Sequence, residues 1–142
     1  MLFNKKILSS SEEETRRIGS LFGKELRGGE LIGIEGDLGA GKTVLVKGIA
    51  EALGVDWENL VDSPTFKIIN SYPGKFILHH VDLYRLTMPE DILTTGFFDL
   101  FGPDNIICVE WAERLAPFKL AFAYYVKINS PEESRREILI EH

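Results

Sequence analysis

The chain has 142 residues, enough for one domain, with 44% hydrophobic and 27% charged residues. That composition builds an ordinary globular core without a metal or disulfide staple. A formal net charge of −6 with no basic stripe argues against a protein that grips nucleic acid alone. The one cysteine, Cys108, excludes an internal disulfide and fits a reducing compartment. No apolar run approaches the roughly 18 residues that cross a bilayer. The N-terminal residues lack the apolar stretch of a signal peptide. The expected location is the cytoplasm, away from membranes.

In chain order, Ser9-Ser-Ser-Glu-Glu-Glu14 predicts a helix start, with overlapping Ser-x-x-Glu capping boxes and acids at the positive end of the helix dipole. Ile18, Leu21, Phe22 and Leu26 continue at helical spacing, and Gly28-Gly29 ends the helix. Glu30–Glu35 reads as a short buried strand. A glycine-rich loop, Gly36–Gly41, leads into a helix over Lys42–Leu53 that Gly54 terminates. Phe66–Ser71 and Lys75–Val81 read as a hairpin around Tyr72-Pro73-Gly74. Pro89–Leu93 is a short helix that Gly96 breaks. Ile106–Glu110 is a second buried strand, and Tyr124–Asn129 and Glu137–Glu141 are late strands. The expected fold is α/β: a single P-loop NTPase domain over residues 1–142, with a mixed, partly parallel sheet that includes a β-hairpin.

Gly36-Asp-Leu-Gly-Ala-Gly-Lys42-Thr43 matches G-x-x-x-x-G-K-[ST] at every fixed position, with a strand before and a helix after it. Gly36, Gly39 and Gly41 are expected to let the backbone wrap around phosphate through positive φ. The loop amides of Asp37, Leu38, Gly39, Ala40 and Gly41 and the helix N-terminus then face a polyanion. Lys42 supplies charge to the β- and γ-phosphates, and the Thr43 hydroxyl is a Mg²⁺ ligand. The expected cofactors are ATP and Mg²⁺.

A P-loop needs an acid on a neighbouring strand for its metal. Glu110 ends the strand Ile106–Glu110 and fills that role beside Thr43. Asp82 ends the strand before Leu83-Tyr84-Arg85-Leu86. It can orient a water, hold Mg²⁺ through water, or cap the following segment. His79 and His80 point to opposite faces of a strand, so they cannot form a two-histidine metal face. Thr65, in Ser63-Pro64-Thr65-Phe66, lies where P-loop switches sense the γ-phosphate, and it equally suits an ordinary turn. Arg135 or Arg136 can reach the nucleotide.

Taken together, Ser11-x-x-Glu-Thr15, the P-loop, Ser63-Pro-Thr-Phe66, His80-x-Asp-Leu-Tyr-Arg-Leu86 and Glu110-Trp111 resemble the TsaE family, also called YjeE, in order and over about residues 9–111. The resemblance implies a bacterial ATPase that works with a TsaB–TsaD heterodimer. Those partners make N6-threonylcarbamoyladenosine at position 37 of tRNAs reading codons that start with A. TsaD is the transferase, and the ATP-driven step resets the complex between turnovers. tRNA is met only indirectly, through that complex. It further implies that Lys42, Thr43 and Glu110 serve phosphate and metal, that Asp82 and Thr65 matter for activity, and that Glu12 flanks the adenine.

A small-molecule kinase is the main alternative. It needs a second substrate pocket and an arginine-rich lid, and downstream arginines are sparse. A GTPase is disfavoured because Asp99-Leu-Phe-Gly102 is not followed anywhere by Asn-Lys-x-Asp. A nucleotide-gated binding module without catalysis is the third reading.

Overall fold

A computed structural model describes residues 2–57 and 67–142. Among these residues a seven-stranded sheet runs in the order β1-β7-β6-β2-β5-β4-β3. The strands are β1 (Lys6–Ser9), β2 (Leu31–Glu35), β3 (Ile69–Tyr72), β4 (Ile77–Asp82), β5 (Asn105–Glu110), β6 (Tyr124–Glu132) and β7 (Arg135–Glu141). The central strands β4, β5, β2 and β6 pair in parallel. β3, β7 and β1 add antiparallel. The mixed, partly parallel sheet and its hairpin are as expected, with β3–β4 shifted toward the C-terminus of the predicted strands. Parallel central strands must be covered on both faces, and they are.

Helices α1 (Glu12–Gly23) and α2 (Lys42–Ala52) cover one face. Phe22, Leu45, Val46 and Ile49 pack there on Ile32, Ile34, Leu78, Ile106 and Cys108. The short helix α3 (Pro89–Leu93) and the 3₁₀ segments Phe97–Asp99 and Ala112–Phe118 cover the other. Ile92, Phe97 and Leu115 meet Leu31, Val81, Ile107 and Val109. Alternate residues of one strand thus feed different cores, the strand period of two at work.

α1 starts as predicted. Ser11 is extended at the cap, and its hydroxyl accepts from the Glu14 amide at 3.0 Å. The Glu14 carboxylate reaches back one residue further than a capping box requires, to the amide and hydroxyl of Ser10. The helix ends at Gly23 rather than at Gly28-Gly29. A tight turn follows, in which Leu26 N–H donates to Gly23 C=O. Leu26 is still buried, but Leu21 is 49% exposed and lies off the packed face.

The two helices cross with almost no space between their backbones. A Cβ on Gly48 would lie 2.0 Å from the Arg16 carbonyl oxygen, and one on Gly19 would lie 2.2 Å from that of Leu45. Gly48→Ala is therefore expected to destabilise the protein by about 1–3 kcal/mol, the usual range for forced backbone shifts in a packed core. Denaturant unfolding checks this. An unchanged midpoint means that the helices can slide apart freely.

One strand, β1, was not anticipated, and two predicted strands are longer than expected. β1 is four residues long, Lys6-Ile-Leu-Ser9, too short to show an alternation to read. It exists because β7 offers it an edge. β6 and β7 extend beyond their predicted ends to Glu132 and Arg135, making a long hairpin with an irregular register near its tip.

Candidate functional site

The loop after β2 carries the site because the strand must reverse into α2 within six residues. Gly39 (φ 79°) and Gly41 (φ 101°) sit in the left-handed region, and Gly41 caps α2. Gly36 does not share that conformation, which corrects the expectation that all three glycines do. A Cβ there would lie 2.3 Å from the Ile128 carbonyl of β6, so Gly36 is required by close packing behind the loop.

Lys42 opens α2 and is almost fully buried, at 4% exposure. Its Nζ donates to the carbonyls of Gly36 at 2.6 Å and Asp37 at 2.7 Å. The same ammonium lies 4.5 Å from the centre of the Trp111 ring. Burial pushes the Lys42 pKa down; Glu110, Glu113, Asp82 and Asp37 oppose that by their charge.

Glu110 ends β5, beside β2, and is 3% exposed. Its Oε2 accepts from the Thr43 hydroxyl at 2.8 Å and from His80 Nε2 at 2.5 Å. Burial works against its charged form. The His80 hydrogen bond and charge, the Thr43 hydrogen bond and the Lys42 charge together outweigh burial and hold the carboxyl below its ordinary value. The carboxylate is thus kept ionised, as a cation ligand must be.

Asp82 ends β4, in register with Glu110. Its Oδ1 accepts from the Tyr84 amide at 3.0 Å, so the capping role left open by the sequence is filled. Asp82 also lines the cleft.

These groups share a cleft of about 560 Å³, bounded by Glu12 on α1, Leu38, Gly39, Gly41, Lys42 and Thr43 on the loop, Asp82, Glu110 and Arg136. Glu12 is exposed at its rim. Asp37 and Ala40 do not line the cleft. Asp37 is exposed and contributes its carbonyl to Lys42, whereas Ala40 is buried in the core. Arg136, on β7, donates to the Ser130 hydroxyl at 2.8 Å and to the Gly39 carbonyl at 3.3 Å, bracing the loop from the hairpin side. Arg135 is exposed and sits 4.0 Å from Glu132. Thr65 and the Ser63–Phe66 loop lie outside the described residues.

Sequence reasoning missed two parts. His80 was not connected to Glu110, although residues 78, 80 and 82 of β4 and 106, 108 and 110 of β5 share one face by the period of two. Trp111 has φ 61°, a left-handed conformation in a non-glycine residue that no sequence pattern announces. It also carries Tyr84 against its ring at 5.0 Å.

The donor set fits the groups that the sequence implies. Gly39 and Gly41 provide the open backbone a phosphate needs. Thr43 and Glu110 bring two hard oxygen donors together, the chemistry of Mg²⁺. Among the described residues no three His, Cys, Asp or Glu side chains group so as to hold a metal ion. Among the described residues, no helix is long and apolar enough to cross a membrane.

A family model described as "Threonylcarbamoyl adenosine biosynthesis protein TsaE" matches residues 9–138. The protein named tRNA threonylcarbamoyladenosine biosynthesis protein TsaE of Bacillus subtilis (strain 168) is 42% identical over 127 residues, covering 89% of this chain and 78% of that protein. Its namesake of Nostoc sp. (strain PCC 7120) is 38% identical over 138 residues, covering 93% and 82%. The solved structure titled "Crystal structure of Bacillus subtilus YdiB" superposes with a TM-score of 0.71 at 32% identity, covering 94% of this chain and 82% of that one.

Proposed function

This chain belongs to the TsaE family of tRNA threonylcarbamoyladenosine biosynthesis, and from that premise we propose that it is a Mg²⁺-dependent ATPase supporting a TsaB–TsaD heterodimer. One observation carries the reading. A buried lysine, a threonine hydroxyl and a buried carboxylate converge on a loop with two left-handed glycines at a helix start.

In this reading the loop amides and the N-terminus of α2 bind the phosphate chain. Lys42 exchanges its carbonyl partners for the β- and γ-phosphates. Thr43 and Glu110 hold Mg²⁺, whose chemistry is to offset negative charge on phosphate oxygens. Glu12 and the start of α1 flank the base, and Arg136 keeps the loop in place. tRNA is met through the partners, since a net charge of −6 disfavours direct binding. The setting is the cytoplasm, where the buried Cys108 stays reduced.

Asp82 orients the attacking water. A carboxylate is a poor proton acceptor from water but a good acceptor of water hydrogen bonds. Asp82→Asn keeps an oxygen for the Tyr84 amide, so the turn survives. The variant is expected to fold, bind ATP and hydrolyse it about 10–10²-fold more slowly, no more than the lower end of what a positioned proton-handling group contributes. Loss of ATP binding would make Asp82 a structural or metal-holding residue instead.

The function is tested by phosphate release with and without purified TsaB–TsaD and tRNA. Slow release by the free chain and faster release in the complex are expected, with docking that depends on ATP against ADP. Equal docking in every nucleotide state, with no rate change, overturns the partner role. A phosphorylated metabolite in place of free phosphate makes the chain a kinase.

A further inference from the structure

Glu110 is a buried acid whose position has to be held. Its Oε2 has two donors, Thr43 Oγ1 at 2.8 Å and His80 Nε2 at 2.5 Å. They differ in kind. Thr43 lies at the exposed start of α2, and its hydroxyl rotates about one bond. His80 lies inside β4, is 9% exposed, and packs its ring 5.6 Å from that of Trp57. β4 and β5 run parallel with His80 opposite Cys108, so the imidazole reaches Glu110 from a rigid neighbouring strand.

We infer that His80 is the positioning residue for the metal carboxylate: its Nε2–H fixes Glu110 Oε2 beside Thr43 so that the two oxygens are placed to bind a cation together. The inference rests on the metal reading above. The Thr43 hydroxyl turns about one bond, so its hydrogen bond to Glu110 does not by itself fix the carboxylate. His80, on a neighbouring strand, is the fixed donor to Oε2. His79, the adjacent histidine, has no part in this. It faces the other way and pairs with the Ser71 hydroxyl at 2.7 Å.

Outer partners that orient a metal ligand typically change metal affinity 10–100-fold when removed. The experiment measures Mn²⁺ affinity by electron paramagnetic resonance in the presence of a non-hydrolysable ATP analogue. Binding of the same analogue in EDTA is measured alongside. Three variants are compared with the native chain. His80→Leu fills the space with no donor. His80→Gln places an amide N–H near the position of Nε2. His80→Asn carries the same amide on a shorter arm that stops short of Oε2.

His80→Leu and His80→Asn are expected to bind Mn²⁺ about 10–100-fold more weakly, with analogue binding in EDTA unchanged. His80→Gln is expected to recover most of the affinity. A residue that served only packing would not separate glutamine from asparagine in this way. Native Mn²⁺ affinity in His80→Asn overturns the inference, and this holds even if the leucine variant fails to fold. Absence of Mn²⁺ binding in the native chain overturns the metal reading as well, so the two failures are distinct.

Discussion

Lys42→Ala is expected to lower ATP turnover at saturating nucleotide by about 10²–10³-fold, the loss that follows removal of one preorganised charge-stabilising donor. The argument starts from cost. A lysine left only 4% exposed is unfavourable unless something holds it, and burial does push its pKa down. Two loop carbonyls, an indole face and four nearby acids keep it charged. Once those carbonyls are exchanged for phosphate oxygens, the ammonium is already in place when charge shifts between phosphates. Steady-state kinetics separate the outcomes. An unchanged kcat with a raised KM would show that Lys42 contributes equally to ground state and transition state, and therefore only to binding.

Glu110→Ala is expected to reduce Mg²⁺-dependent hydrolysis by a comparable amount, roughly 10²–10³-fold, because a metal ion supplies several kcal/mol of charge stabilisation. Thr43→Ala should weaken it in the same direction. The effect on folding is smaller. Alanine leaves His80 Nε2 and the Thr43 hydroxyl without their shared acceptor, a loss on the order of 1–3 kcal/mol. Phosphate release across a Mg²⁺ titration, read beside thermal unfolding, tells the two apart. Normal hydrolysis in a folded Glu110→Ala protein would remove Glu110 from the site.

The central fold could be read from the sequence because its signals are local. Leu31–Glu35 and Ile106–Glu110 are continuous apolar runs ending in acids, and Gly36–Thr43 dictates a strand–loop–helix turn. The edges could not. β1 has no pattern of its own and depends on β7 for its existence. Gly23 reads like any helical glycine, yet a Cβ there would meet Ala52 and Ile49, so it marks a helix contact near which α1 ends. The same division runs through the site. Lys42 and Thr43 belong to a spaced motif, Glu110 was read from the end of an apolar strand, and the structure brings the three together. The contact of His80 with Glu110 spans 30 residues and depends on strand register, which no linear motif encodes. Asp82 was left with several roles, and the fold fills one of them through Tyr84.

The ring of Trp111 gives the cleft an optical property. The chain has two tryptophans, and their surroundings differ. Trp57 stands beside Tyr72 and His80. Trp111 has the Lys42 ammonium 4.5 Å from its centre, and the Arg114 guanidinium carbon is 5.5 Å from it. Indole emission responds to charge at the ring face, so any displacement of the Lys42 ammonium is reported at this one fluorophore. Trp57→Phe would leave a chain whose emission reads the position of the Lys42 ammonium directly, without a label.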